Sequence, residues 1–312
     1  MDEWISREAL LTEGYRRCAK LTWQYGTTYF WGAALLPRPQ RKHVYAVYAL
    51  CRLADDIVDL PNGEAQDAVG INLKAFAESF QTGLAEGDST DPVMAAVINT
   101  VITRQIDPEC FDRFFNAMAM DLTTTSYQTW EDLRGYMEGS AAVIGEMMLP
   151  VLEPTNQAAK APARSLGLAF QLTNFLRDID EDLDRGRVYM PQDDLRLFDV
   201  DLERRAVTPE WRAFLAYEIE RNRALYSFAD TGIAMLPPRS ARCVGTARVL
   251  YAQILDQIER NGYDVFSSRA RVPTSRKAAT AARILVTGPR KLKRQAEAYQ
   301  RRSMTDVTQD TY

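Results

Sequence analysis

Apolar residues recur along this chain at spacings of three and four, and nowhere do they alternate with polar ones for long enough to make a strand. The pattern predicts an all-α fold, with helices over about 7–24, 40–60, 64–83, 92–104, 108–120, 129–152, 158–185, 209–235, 240–261 and 275–299. Proline marks several ends. Pro37 and Pro39 precede the second helix, Pro61-Asn62-Gly63 stops it, and Pro237-Pro238 separates two later ones, all places where a missing N–H does no harm. No linker rich in Gly, Ser or Pro, no low-complexity tract and no repeat of roughly 20 to 50 residues divides the chain. One helical domain over residues 1–312 is expected.

Charge changes this picture little. The net charge is −4 and the basic residues are interspersed with acids, which argues against a nucleic-acid partner. The exception is the C-terminal part, where Arg276, Lys277 and Arg283 lead into a basic tail over about 287–312 that carries Arg290, Lys291, Lys293, Arg294, Arg301 and Arg302. That run suits either a solvated, frayed helix face or a peripheral contact with anionic lipid at the cytoplasmic face of a membrane. No apolar run approaches the roughly 20 residues that span a bilayer. The N-terminus does not read as a signal peptide, and Cys18, Cys51, Cys110 and Cys243 lack ligand spacing, so a cytoplasmic protein with reduced thiols is expected.

The single histidine, His43, reads as a helix-surface residue. Its isolation removes most zinc sites and Ser-His-Asp triads, so chemistry must rest on carboxylates, Arg, Tyr or metal-bound water. Two acidic groups stand out. Asp55 and Asp59 lie four apart, on one helix face with Arg52 and Tyr48 one and two turns before them. Asn174, Asp178 and Asp182 form a longer polar line at i, i+4 and i+8, flanked by Gln171 and Arg177 and following the apolar run from Leu166. Each group alone could be a solvated helix face salt-bridged to arginines. Two of them on apolar helices suit oxygen ligation of Mg²⁺, or Mn²⁺, with diphosphate completing the shell. Arg52, Arg177 and Arg187 could add phosphate contacts.

Four ordered stretches carry a resemblance that extends from about Tyr15 to Val286. The segment from Leu36 to Asp59, with Cys51-Arg-Leu-Ala-Asp-Asp-Ile-Val-Asp59, resembles the first aspartate-rich region of the squalene and phytoene synthase family. Gln171-Leu-Thr-Asn-Phe-Leu-Arg-Asp-Ile-Asp-Glu-Asp182, continuing to Pro191, resembles the second. Tyr136 to Gly145 is similar to the small-residue helix beside the family's substrate channel, and Gly262 to Pro273 to its C-terminal signature. Where the family often shows Ser or His before the first long helix, this chain has Tyr25-Gly26.

The resemblance implies an isoprenoid synthase fold, with helices around a central apolar cavity, and head-to-head joining of two allylic diphosphates. By position, Asp55 and Asp59 would hold metal for one diphosphate, and Asn174, Asp178 and Asp182 for the other. Arg52, Gln171, Arg177, Arg187 and Arg269 match substrate-contacting positions. Tyr48, Tyr189 and Tyr251 match positions near the cavity, where ring faces stabilise cations. Gly139, Ser140, Ala141, Ala142 and Gly145 would leave room for prenyl tails. The likeness is strongest to bacterial phytoene synthases, which implies two geranylgeranyl diphosphates, condensation without NADPH, and handover of product to carotenoid-pathway enzymes. Two alternatives stay open: the same chemistry on farnesyl diphosphate, giving dehydrosqualene or presqualene diphosphate, and a non-catalytic assembly protein on the same scaffold, against which both intact acidic motifs speak.

Overall fold

Helix α1 (Arg7–Tyr25) begins where the Ser6 hydroxyl accepts the Ala9 amide proton, a side-chain cap for one of the four amides a helix start leaves unpaired. The computed structural model describes residues 6–59, 66–289 and 292. After α1 come α2 (Thr27–Ala33), α3 (Arg38–Asp59), α4 (Gln66–Glu86), α5 (Pro92–Arg104), α6 (Glu109–Met120) and α7 (Trp130–Met137). A π-helical segment (Glu138–Ala142) leads into α8 (Val143–Leu152), followed by α9 (Lys160–Asp184), α10 (Gln192–Leu197), α11 (Pro209–Ile233), α12 (Pro238–Arg260) and α13 (Thr274–Thr287). There is no strand among the described residues. One bridge between Ser126 and Val188 ties the loop after α6 to the loop after α9.

The apolar faces form two large clusters, one built on α1, α3, α5, α6 and α8, the other on α7, α9, α11 and α12. A cavity of about 1010 Å³ lies between them. Its two principal walls are α3 and α9. Along α9 a line of residues four apart faces it, from Pro162 through Leu166, Phe170 and Asn174 to Asp178 and Asp182, with neighbours such as Ala163, Gly167 and Gln171 beside that line. At about 1.5 Å per residue, the wall from Pro162 to Asp178 is about 24 Å long.

The predicted helices are present with three differences. The stretch expected as one helix over 129–152 is interrupted by the π segment. There two neighbours approach too closely for larger side chains: a Cβ at Gly139 would sit 2.8 Å from Arg113 O, and one at Gly167 of α9 would sit 2.3 Å from Ala141 O. Short α2 and α10 are additional. The last helix ends at Thr287, where Gly288 takes a φ of 64° and Pro289 follows, and most of the range expected beyond it, like Pro61-Asn62-Gly63 and most of the basic tail, lies outside the described residues.

His43 is a correction. It is buried, 4% exposed, with Nδ1 2.9 Å from Thr100 Oγ1 and its ring edge-on to Tyr15. Burial, with Arg104 and Lys42 adding to it, lowers its pKa to about 4, so it is a neutral core residue of α3. An isolated histidine on an amphipathic helix carries no mark of which face it occupies.

Candidate active site

Both principal walls grade from apolar to acidic in chain order. Val44, Tyr48, Arg52, Asp55 and Asp59 follow one another along α3, as Pro162 to Asp182 do along α9. The acids therefore sit in the last turns of two helices that have no basic residue there. A helix C-terminus already carries partial negative charge, so this placement is unfavourable until a cation arrives.

The carboxylates divide into those with a protein partner and those without. Asp59 accepts from Arg187 Nη1 at 2.7 Å, with Arg185 Nη1 at 3.7 Å. Asp178 accepts from Arg177 Nε and Arg269 Nη2, both at 2.7 Å. The carboxylates of Asp55 and Asp182 have no ion pair or hydrogen bond among the described residues. Burial, and then the neighbouring Asp59, push Asp55 up to about 7. Burial and Asp178 do the same to Asp182. Two half-buried carboxylates without a side-chain partner, near the ends of the two walls, are a donor set short of positive charge, and a hard divalent cation fits it. Among the described residues no three acidic, His or Cys side chains stand close enough to hold an ion alone. One or two carboxylates with Asn174, phosphate and water would complete such a shell.

Arg52 lines the cavity beside Asp55 as its spacing implies, but its ion pair is with Asp56, one turn on. Arg185 and Arg187 are the bases that meet Asp59. The Arg52 guanidinium lies 4.4 Å from the centre of the Tyr25 ring. The neighbouring glycine has a reason as well. A Cβ at Gly26 would fall 2.6 Å from the Tyr48 ring, so Tyr25-Gly26 stacks on Arg52 and leaves space for Tyr48.

All of the predicted polar and aromatic site residues line the one cavity: Tyr48, Arg52, Asp55, Asp59, Gln171, Asn174, Arg177, Asp178, Asp182, Arg187, Tyr189, Tyr251 and Arg269. Gly139 and Ala142 do not. Gly139 packs against α6 and Ala142 is fully buried, while Ser140, Ala141 and Gly145 reach the cavity surface. Gly139 and Ala142 are thus packing residues, because the π segment is held tightly between α6 and α9.

Asp121, Tyr29 and Phe170 are among the cavity residues that escaped the sequence reading. Asp121, just past α6, accepts from Tyr136 Oη at 2.7 Å and from Tyr189 Oη at 3.4 Å, and burial raises its pKa to about 6. Its backbone carbonyl faces Arg187 Nη2 at 3.5 Å. Tyr29 and Phe170 join Tyr48 and Tyr251 in a four-ring group, with Tyr29 centroids 5.6 Å from Tyr48, 5.4 Å from Tyr251 and 5.9 Å from Phe170. A lone acid after an apolar helix, and a tyrosine in a seven-residue helix, give no periodic signal. The arrangement can hold anionic groups at its acidic and basic mouth and shield apolar chains among aromatic rings below it.

Known proteins resemble the chain throughout this region. It is 36% identical over 285 residues to a phytoene synthase of Arthrospira platensis, covering 86% of this chain and 91% of that one. It is 35% identical over 284 residues to a 15-cis-phytoene synthase of Synechococcus elongatus, with the same coverage. Squalene synthase HpnC from Alicyclobacillus acidocaldarius superposes with a TM-score of 0.73 at 31% identity, covering 81% of this chain and 96% of that one. A dehydrosqualene synthase shares the fold, with a TM-score of 0.79 at 24% identity over 88% of this chain and 96% of that one. The sequence profile described as "Squalene/phytoene synthase" matches residues 23–277, and the chain belongs to that family.

Proposed function

We propose that the chain is a phytoene synthase, a prenyltransferase that joins two geranylgeranyl diphosphates head to head through prephytoene diphosphate and releases diphosphate. The observation that carries this reading is the likeness to phytoene synthases over 86% of the chain, joined to a single cavity with acids and arginines at its mouth and apolar walls below.

In this reading Asp55 and Asp59 on one wall, and Asn174, Asp178 and Asp182 on the other, hold Mg²⁺, or Mn²⁺, against the two diphosphates. An ion held there would supply Lewis-acid neutralisation of the charge on a departing diphosphate. Arg177, Arg187 and Arg269 turn from the carboxylates they now meet toward phosphate oxygens, where guanidinium geometry supports paired hydrogen bonds. Gln171 lies between the acid line and the apolar wall and orients the headgroup. The first substrate ionises, the second attacks with its double bond and loses a proton to the released diphosphate as the ring of the cyclopropylcarbinyl diphosphate closes, and a second ionisation, rearrangement and proton loss follow. Tyr48, Tyr189 and Tyr251, with Tyr29 and Phe170, present ring faces to the cations and keep water away. No hydride enters, so NADPH has no part.

Phytoene is a hydrocarbon that has to leave for an apolar phase. No helix among the described residues is long and apolar enough to cross a membrane, and the basic tail supports a peripheral contact with a membrane at its cytoplasmic face, where later carotenoid-pathway enzymes would receive the product. Incubating the purified protein with Mg²⁺ and either geranylgeranyl or farnesyl diphosphate tests the assignment. C40 hydrocarbon is expected; C30 product without C40 would move the reading to farnesyl diphosphate.

A further inference from the structure

Behind the aromatic wall of the cavity lies a second layer, Tyr226, Arg248 and Asp230, none of which lines the cavity itself. Tyr226 of α11 is buried and stands 6.1 Å from Phe170, centre to centre. Phe170 in turn lies 4.4 Å from Tyr251, and these two do line the cavity. The Tyr226 hydroxyl is 2.8 Å from Thr173 Oγ1. Thr173 gives its one proton to Ala169 O and accepts from Asn222 Nδ2, so Tyr226 is the donor between them. The guanidinium of Arg248, from α12, lies 4.8 Å from the centre of the Tyr226 ring. Asp230 is 1% exposed and accepts from Arg248 twice, from Nε at 2.7 Å and from Nη2 at 2.9 Å. No other carboxylate meets Arg248 among the described residues.

An ion pair this far out of water contributes no more stability than apolar side chains of the same size would. Its effect falls on the rings in front of it. The steps of 4.8 Å and 6.1 Å put the Arg248 charge within about 11 Å of the Phe170 ring. At that distance, with the effective dielectric of about 20 that suits protein sites, a bare cation would slow formation of a carbocation near the ring by about tenfold. We propose that Asp230 is a positioning residue for the carbocation steps: it fixes Arg248 on Tyr226 and cancels its charge, so that no uncompensated cation stands behind Phe170 and Tyr251. The inference rests on the head-to-head reading, in which cations form twice in one cavity.

Single-turnover consumption of geranylgeranyl diphosphate by the full chain with Mg²⁺ tests this. Asp230→Asn has nearly the same shape without the charge. It should lower the rate at saturation about tenfold and leave the half-saturating concentration within about twofold. Adding Arg248→Met removes the uncompensated cation and should restore most of the rate, whereas a loss of packing would deepen with the second truncation. Asp230→Glu keeps the charge and should retain most of the rate. Circular dichroism checks that each variant is folded. Should Asp230→Asn not fold, Asp230→Ser leaves room for water beside Arg248 and carries the same charge change and the same expectation. An unchanged rate in the folded single variant, or a double variant as slow as the single one, overturns this inference alone. A wild type that converts neither geranylgeranyl nor farnesyl diphosphate overturns the functional reading and this inference with it.

Discussion

Arg187 Nη1 donates to Asp59 Oδ1 at 2.7 Å and so joins the loop after α9 to the end of α3. The same guanidinium reaches the Asp121 carbonyl at 3.5 Å. One side chain thus spans three separate pieces of the acidic mouth. Replacing it with lysine keeps a charge and loses the fork. Arg187→Lys is expected to lower kcat/KM about tenfold to a hundredfold with little change in melting temperature, in steady-state assays of diphosphate release. An unchanged kcat/KM would show that the fork holds no phosphate.

Asp55 has the opposite character, a half-buried carboxylate without a partner among the described residues. Above pH 7 its ionised form is disfavoured in the folded protein, since its pKa is raised to about 7 from an ordinary 3.8. Asp55→Asn should therefore raise the melting temperature of the chelator-treated protein at pH 8 while abolishing turnover. Each kcal/mol recovered corresponds to about 2–4 °C. Mg²⁺ should stabilise wild type and leave the variant nearly unmoved. Equal stabilisation of both proteins by Mg²⁺ would exclude Asp55 as a ligand.

The contact between α8 and α9 leaves no room for a methyl group. A Cβ at Gly145 would lie 2.2 Å from Ala163 O. Gly145→Ala has to push the helices apart, and a loss of about 1–3 kcal/mol or more is expected in urea unfolding. Gly135→Ala serves as the control, because its Cβ would meet nothing within 4 Å. It should match wild type or exceed it slightly, as alanine is the better helix former.

Glu218 gives the stability a pH slope. It is fully buried with one oxygen 2.6 Å from Arg221 Nη1, while the other has no hydrogen-bond partner. Burial, aided by Asp194 2.8 Å from the same Arg221 nitrogen, outweighs the arginine and raises the pKa from 4.5 to about 7. Between these values the folded protein holds a proton that the unfolded chain has released. This contribution to stability is full below about 4.5 and fades as pH rises through about 7, by at most about 1.4 kcal/mol per pH unit. Glu218→Gln should flatten the profile of stability between pH 5 and 8. An unaltered slope would place the titrating group elsewhere.

The long helices and both acid lines were legible because each repeats a signal. Apolar spacing over about 20 residues marks α3 and α9, and Asp55–Asp59 and Asn174–Asp178–Asp182 repeat at four within them. What escaped lacks repetition. Tyr29 sits in seven-residue α2, which starts after Gly26 without a side-chain cap. Asp121 is a single acid whose role depends on Tyr136 and Tyr189, which come from two other segments. Lys277 looks like its basic neighbours in sequence, and only its 2.9 Å approach to Thr27, 250 residues away, sets it apart. Arg52 shares a face with Asp55 and Asp59 by its spacing, but only the structure shows that its ion pair is with Asp56 at i+4.

The regular four-residue step along α9 separates two traits that evolution can then alter independently. Asp178 and Asp182 stand at one end of a rigid rod, and Pro162 and Leu166 stand at the other. On the proposed function, substitutions near Pro162 would change how deep a guest can sit without disturbing where its bonds are made. Such a rod acts as a measuring stick with its zero mark fixed at the reactive end, so new guest sizes can arise by changing side chains at the far end alone.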